Sequence, residues 1–225
     1  MKIIIELKSD TLIGSGEGYG DIIDSDIVFD DLGIPYIPAK RIKGCLRESA
    51  HEVCMMLESS ALTSILDLKK YTNDNTKYEI VEKIFGSPGQ DEPAPVYFSN
   101  LTIDDYEKNR LFLKYLAEEF PRVITKGGIL STFTVIRQQT AIDDESGVAK
   151  EHSLRTVRLI RKGEIFKGNV QVKGDNNFVT LMALACTNLR GIGTKRKRGY
   201  GEVECNLLNK GNIIPIKKLE DLCRV

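Results

Sequence analysis

The segment "LRGIGTKRKRGYGEVEC", residues 189–205, places the strongest constraint on the fold and on the binding partner. Four consecutive basic residues, Lys195 to Arg198, stand between glycines on both sides. Glycine adopts backbone conformations that other residues avoid, so a cluster of glycines indicates a tight turn or a close approach to another molecule. Adjacent positive charges repel one another, and a negative partner would offset that repulsion.

The residues on either side of this loop predict a helix before it and a strand after it. Apolar residues recur at helical spacing on the N-terminal side, at Phe178, Leu181, Met182, Ala185 and Leu189. On the C-terminal side, "GYGEVECNLL" predicts the last strand. The loop is therefore expected to join the last helix to the last strand, at the edge of a sheet.

The rest of the chain alternates strand and helix patterns. "KIIIELKSD" predicts a first strand, and residues 40–57 predict an amphipathic helix. "PAPVYFSNLTI", "GILSTFTVIRQQTA" and "VRLIRKGEIFKGNVQVK" each predict a strand, and "DDYEKNRLFLKYLAEEF" predicts a helix that Pro121 ends. This order predicts an α+β fold with a ferredoxin-like (RRM-like) βαββαβ core and insertions. No segment rich in Pro, Gly or Ser divides the chain as a linker would, so residues 1–225 are expected to form one domain.

The charge of the chain is balanced but unevenly distributed. Lys plus Arg and Asp plus Glu both number 32, which gives a formal net charge of zero. Residues 10–31 nevertheless carry seven acidic residues and no basic one, whereas residues 35–47 carry only basic ones. Local fields of both signs are therefore compatible with the neutral total.

Several functional classes are disfavoured by the sequence. The five cysteines contain no C-x-x-C pair, so neither a zinc site nor a disulfide framework is indicated. The glycines of "LIGSGEGYGD" miss the dinucleotide fingerprint, and no Walker loop is present. The absence of a long apolar run and of a signal-peptide pattern favours a cytoplasmic protein without a membrane partner.

The basic loop suits a polyanion. Glycines allow backbone N–H groups to approach an anion, and Lys and Arg supply charge and forked donors. A nucleic-acid backbone is an extended polyanion of this kind. The alternative interpretation is a basic turn that is merely solvated.

Five segments together resemble the RAMP superfamily (repeat-associated mysterious proteins), whose members form CRISPR effector complexes. "GIPYIPAKRIKGCLRES" and "GIGTKRKRGYGEVE" resemble its two hallmark segments. "IDSDIVFDD", "IFGSPG…VYFSN" and "TAIDDESGVAKEHSLRTVRLIRKGEIFKG" follow the family order as well. The resemblance is greatest to backbone subunits of type III effectors. The segment "SDIVFDDLGIPYIPAKRIKG" is similar to the type III-D branch.

This resemblance implies contacts with CRISPR guide RNA and a complementary target RNA, and assembly with other RAMP subunits and large subunits. It also implies a thumb-like hairpin at about residues 137–157 that wedges into the guide–target duplex, with Thr140, Ala141 and Ile142 near the wedge. The implied RNA-binding residues are Lys40, Arg41, Lys43, Arg137, Arg155, Arg158, Gly191, Gly193, Lys195, Arg196, Lys197, Arg198 and Gly199.

In such backbone subunits, one aspartate ahead of the first basic segment cuts the target RNA with a divalent metal such as Mg²⁺. The matching position is Asp24, which would hold the metal, and Asp21 and Asp26 are the alternatives. A carboxylate there could bind a metal or help to deprotonate a ribose 2′-OH.

Other functions remain open at this point. The superfamily also contains non-catalytic subunits that cap the complex at the 5′ end of the guide. It contains guide-processing endoribonucleases too, for which His51 or His152 would supply acid–base chemistry. Outside the superfamily, the chain could be a small-molecule-binding ferredoxin-like domain with "GSGEGYGD" as its ligand loop.

Overall fold

A computed structural model describes residues 1–16, 23–60, 66, 79–87, 89, 93–143, 147–151 and 153–214. The helices are α1 (Ala39–Ser59), α2 (Glu79–Phe85), α3 (Tyr106–Glu119), α4 (Lys126–Phe133) and α5 (Asn176–Asn188). The strands are β1 (Lys2–Leu7), β2 (Tyr36–Ile37), β3 (Val96–Phe98), β4 (Leu101–Ile103), β5 (Thr134–Gln139), β6 (Arg155–Ile160), β7 (Ile165–Val172), β8 (Val203–Asn209) and β9 (Asn212–Ile213).

The main sheet is antiparallel and has the ferredoxin-like strand order. Strand β1 lies in the centre, between β7 and β8. On the outer side of β7, β3 and β4 pair one after the other along the same strand. Helix α1 follows β1 and helix α5 connects β7 to β8. The predicted βαββαβ core is therefore confirmed.

One face of this sheet carries the core. Alternate residues of β1, namely Ile3, Ile5 and Leu7, are fully buried. Ile3 lies opposite Leu207 of β8 and Ile5 opposite Cys205, so both strands bury the same face. Helices α1 and α5 pack side by side against this face, and the Ser49 hydroxyl of α1 donates a 2.8 Å hydrogen bond to the Ala185 carbonyl of α5.

Strands β5 and β6 form a separate two-stranded hairpin. Its register pairs Thr134 with Ile160 at one end and Gln139 with Arg155 at the other. The acidic N-terminal segment runs along β6, through isolated bridges between Thr11 and Ile160 and between Ser25 and Val157. The thumb-like insertion predicted at about residues 137–157 covers the Gln139–Arg155 end of this hairpin and the segment between those two residues.

Two expected strands were wrong in detail. The first part of "GILSTFTVIRQQTA" belongs to helix α4, because Thr125 accepts a 3.1 Å hydrogen bond from the Gly128 N–H and caps a helical turn. "VRLIRKGEIFKGNVQVK" is two strands in different sheets, since the chain turns after Ile160 and Gly163 has a φ of +89°.

A third strand is interrupted. "PAPVYFSNLTI" forms two strands, β3 and β4, which are separated by Ser99 and Asn100, and both of these side chains accept backbone hydrogen bonds. Ser99 Oγ accepts from the Asn169 N–H at 2.8 Å, and Asn100 Oδ1 accepts from the Ala39 N–H at 2.9 Å. Within the described ranges, no helix has the length and apolar character needed to cross a membrane.

Candidate nucleic-acid interface

The glycines of the basic loop are needed at their positions for different physical reasons. Gly193 has a φ of +80°, and a Cβ there would lie 2.3 Å from the Leu12 carbonyl oxygen. Gly201 has a φ of +81°, and its Cβ would lie 2.1 Å from the Ile192 carbonyl oxygen. These two glycines allow close packing within the protein itself. Gly193 was predicted as an RNA-binding residue, and its geometry already has this explanation inside the fold.

Gly199 differs from them. Its φ is +79°, but among the described residues no atom lies within 4 Å of a Cβ built there. Its N–H donates a 3.1 Å hydrogen bond to the Arg196 carbonyl, which closes a short 3-10 turn over Arg196–Arg198. The open side of Gly199 faces away from the protein. Gly191 lies between these cases, since its Cβ would lie 3.3 Å from Arg196 Cδ.

The turn presents the basic side chains outward. Lys195 has a left-handed φ of +59°, which reverses the chain just before the turn. Arg196, Lys197 and Arg198 follow it and are exposed. The sequence prediction of a tight glycine-rich turn with clustered cations therefore matches the geometry.

The basic loop contacts the end of the β5–β6 hairpin at which the Gln139–Arg155 pair leads into residues 140–154, which is called the hairpin root below. Gln139, the last residue of β5, accepts on Oε1 from Lys195 Nζ at 3.1 Å and from Arg198 Nη1 at 2.9 Å. Its Nε2 donates to the Tyr200 hydroxyl at 2.9 Å. Partial burial and the nearby Arg198 lower the pKa of Lys195. The sequence analysis missed Gln139, because a glutamine at the end of a strand belongs to no motif.

The loop also lies beside α1. Arg196 Nη2 is 3.6 Å from Glu48 Oε2, and the charges of Arg196 and Arg41 both act on the Cys45 thiol. Burial is the largest influence on Cys45 and raises the pKa of its thiol. A cleft of about 350 Å³ lies between α1, the end of α5 and the loop. The two basic segments, distant in sequence, are thus neighbours.

At the start of α1, the predicted cations have different environments. Lys40 is exposed, whereas Lys43 is half-buried. Arg41 Nη2 donates a 2.8 Å hydrogen bond to the Gly14 carbonyl. Pro38 at the helix start supplies no side-chain cap, and Asn100 Oδ1 accepts from the Ala39 N–H instead. Asn100 is a second residue that the sequence analysis missed.

Asp24 lies at the root of the hairpin, next to β6. Its Oδ2 accepts from the Thr156 N–H at 2.7 Å, and its Oδ1 is 3.3 Å from Arg155 Nη1. The Thr156 N–H is the main reason that the pKa of Asp24 is lowered, and Arg155 lowers it further. The side chain is 38% exposed, and its negative charge acts on Lys195 across the root.

The two alternatives to Asp24 are Asp26, which is buried, and Asp21. Asp26 is buried, 4% exposed, and its Oδ2 is 3.0 Å from Arg158 Nη1. Its Oδ1 also accepts from the Ile27 N–H at 2.7 Å. Asp26 therefore presents no carboxylate to solvent, and Arg158, itself 14% exposed, is held in an internal ion pair. Asp21 lies outside the described residues.

The remaining hairpin residues are exposed. Arg137 Nη2 lies 3.3 Å from Asp10 Oδ2 and keeps 56% of its side chain accessible, and Arg155 keeps 62%. Thr140, Ala141 and Ile142 follow at the exposed end of β5. The N–H of Ala141 donates to Ser153 Oγ at 3.1 Å.

The described residues do not form a metal site. No three His, Cys, Asp or Glu side chains converge among them. The Asp24 carboxylate faces two hydrogen-bond donors, the Thr156 N–H and the Arg155 guanidinium, which is not the environment of a preformed Mg²⁺ site. His51 Nε2 lies 3.7 Å from Glu82 Oε1, where α1 meets α2, and His152 lies outside the described residues.

This architecture, a ferredoxin-like core with a glycine-rich basic loop beside a hairpin, is that of a known protein class. The chain belongs to the RAMP superfamily, whose family model matches residues 4–204. No curated protein sequence matches it.

Solved structures share the fold. A chain of the type III-B Cmr-beta complex bound to cognate target RNA is similar with a TM-score of 0.62 and 14% identity, over 91% of this chain and 95% of that one. A chain of the apo Cmr-beta complex is similar with a TM-score of 0.61 and 14% identity, over 94% and 98% of the two chains.

Proposed function

We propose that this protein is an RNA-binding subunit of a type III CRISPR effector complex. Its superfamily and the likeness of its fold to chains of type III-B Cmr-beta complexes support this function. The observation that carries the proposal is the exposed basic turn at Arg196–Arg198, which stands between the hairpin root and α1.

The proposed RNA surface has three parts that the fold brings together. The basic loop contacts the hairpin root through Gln139 and lies beside α1 through Arg196. Lys40 at the start of α1 and Arg137 and Arg155 on the hairpin add exposed charge. A sugar–phosphate backbone could follow this surface by charge alone, without being read by sequence.

The ligand that we propose is CRISPR guide RNA, with complementary target RNA paired to it. Other RAMP subunits and the large subunits of the complex are the proposed protein partners. Because Arg158 is paired with the buried Asp26, we leave it out of the proposed surface.

The experiment measures the affinity of the full chain for a labelled single-stranded RNA at several salt concentrations. Each Lys or Arg that contacts a phosphate contributes about one unit to the slope of log K against log salt. A variant with Ser at Lys195, Arg196, Lys197 and Arg198 should bind more weakly and with a flatter slope.

A matched variant controls for the loss of net charge. It carries Ser at four exposed cations outside the surface, at Lys108, Lys114, Arg122 and Lys173. Its slope should stay close to that of the wild type. Equal slopes in the loop variant and the wild type would show that the basic loop is only solvated, and the proposal would fail.

We further propose that Asp24 takes part in cutting the bound target RNA. Asp24 is the acidic residue of the hairpin root that is partly exposed and acts on Lys195 of the basic loop. Its pKa is lowered further from the ordinary value of 3.8, so the carboxylate is fully charged at neutral pH. Since the described residues do not form a metal site, we derive no metal step.

The test uses the assembled complex with guide and complementary target. Asp24→Asn keeps the shape of the side chain and removes its charge, so cutting in the segment that this subunit covers should be lost while RNA affinity persists. Asp31→Asn, at an exposed carboxylate of the same acidic segment, is the control and should cut normally. Normal cutting by Asp24→Asn would favour a capping or scaffolding subunit instead.

A further inference from the structure

Gln139 is a neutral side chain that holds two cations of the basic loop in place. Its carbonyl oxygen has two lone pairs, and one accepts from Lys195 Nζ and the other from Arg198 Nη1. Its amide group donates to the Tyr200 hydroxyl, so both ends of the amide bind the loop. The loop is thereby attached to the hairpin at three points.

The position of Gln139 also links the loop to Asp24. Gln139 pairs with Arg155 across the hairpin, and Arg155 Nη1 lies 3.3 Å from Asp24 Oδ1. Lys195, which Gln139 holds, lies within the field of the same carboxylate. A single strand end therefore sets the positions of the loop cations relative to the hairpin root.

An amide suits this task better than a carboxylate. A carboxylate would accept from both cations but would neutralise part of the charge that attracts a polyanion. Glutamine fixes the two cations and leaves their charge intact. Long cationic side chains lose conformational freedom when they bind a ligand, and a side chain that is already held loses less.

We propose that Gln139 is a positioning residue that holds Lys195 and Arg198 ready for phosphate contact, so that hairpin and loop bind RNA as one surface. This inference rests on the proposed RNA-binding function. Gln139 acts through the two cations and does not itself need to contact RNA.

The experiment compares Gln139→Ala with Gln138→Ala, the neighbouring glutamine that points to the opposite side of β5. The affinity of the full chain for a labelled single-stranded RNA is measured across a salt series. Gln139→Ala should weaken binding about three- to tenfold, because two cations are no longer held in place. The salt slope should not change, since no charge is removed. Gln138→Ala should bind like the wild type.

Two further variants separate positioning from direct contact. Gln139→Glu should lower the salt slope by about one unit, because the new carboxylate offsets a cation. In a background with Ser at Lys195 and Arg198, Gln139→Ala should have no further effect. A full effect of Gln139→Ala in that background would overturn the positioning role and indicate direct RNA contact.

The outcomes distinguish this inference from the proposed function. If Ser at Lys195 and Arg198 weakens binding while Gln139→Ala equals Gln138→Ala, the inference alone fails. If Ser at Lys195 and Arg198 leaves binding unchanged, RNA binding by the loop fails and the inference fails with it. Thermal unfolding of each variant verifies that the affinity changes do not come from unfolding.

Discussion

Asp24 and Thr156 exchange two hydrogen bonds. The Asp24 N–H donates to the Thr156 carbonyl at 2.9 Å, and the Thr156 N–H donates to Asp24 Oδ2 at 2.7 Å. The acidic segment is thereby joined to the second residue of strand β6, at the hairpin root. The carboxylate proposed to act on RNA therefore also has a structural role.

This role predicts a pH dependence of stability. The pKa of Asp24 is lowered in the folded protein, chiefly by the Thr156 N–H, so its contribution is complete above the ordinary value of 3.8. The contribution is lost as the pH falls through the lower, folded pKa. Asp24→Asn should therefore be less stable than the wild type at neutral pH, and the two should converge in acid. Urea unfolding at a series of pH values measures the difference, and a difference that does not change with pH would contradict this account.

The loop glycines should respond differently to the same substitution. Gly201→Ala combines a positive φ with a Cβ placed 2.1 Å from the Ile192 carbonyl oxygen, so the backbone must move. Gly199→Ala has the positive φ alone and should cost about 1–2 kcal/mol of unfolding free energy. The loss at Gly201 should be clearly larger, as measured by urea unfolding. Equal losses would show that the packing around Gly201 relaxes.

For the buried Asp26–Arg158 ion pair, we expect a single variant to lose much more stability than the double variant. Arg158→Met leaves a buried carboxylate unpaired, which should cost about 3–5 kcal/mol. The double variant Arg158→Met with Asp26→Leu should recover much of this loss. Arg155→Met, at an exposed ion pair, is the control and should cost less than about 1 kcal/mol. If the Arg158→Met protein had normal stability but bound RNA more weakly, this account would be contradicted and Arg158 would be assigned to the RNA surface.

Two substitutions of Asn100 should separate the stability of the fold from the affinity for RNA. Asn100→Ala removes the acceptor for the Ala39 N–H at the start of α1 and should cost about 1 kcal/mol. Asn100→Asp keeps the acceptor and adds a negative charge near the helix N-terminus, which stabilises a helix. The aspartate variant should fold normally but bind RNA more weakly, because the new charge repels phosphate. Unchanged affinity in that variant would place the start of α1 outside the RNA surface.

The core of the fold could be predicted because its signals are local. Strand β1 and helices α1 and α5 carry apolar residues at the spacing of one buried face, and the patterns extend over most of each element. Helix α4 was missed because "GILSTF" is rich in β-branched and aromatic residues, which favour strands, while its capping residue Thr125 is a single hydroxyl. The division of β6 from β7 was missed because both strands mix apolar and polar residues in a similar way and the turn between them is short.

The candidate site was predictable only where charge or glycine marks it. The basic loop is visible in the sequence, whereas Gln139 and Asn100 act through partners distant in the chain. The sequence also does not distinguish Arg155 from Arg158. Both stand on β6, but Arg155 is exposed at its end and Arg158 lies over a buried carboxylate.

The central place of β1 has a consequence for the kinetics of folding. Ile3 pairs with Gly168 on one side and with Leu207 on the other, so both partners of the first strand come late in the chain. Closing such long loops loses much chain entropy before any contact is gained, and topologies of this kind fold slowly. During synthesis, the apolar face and both backbone edges of β1 therefore stay unpaired until almost the whole fold has been made. Exposed apolar surface and unpaired strand edges promote aggregation, so we expect the nascent chain to be most prone to aggregation in this interval.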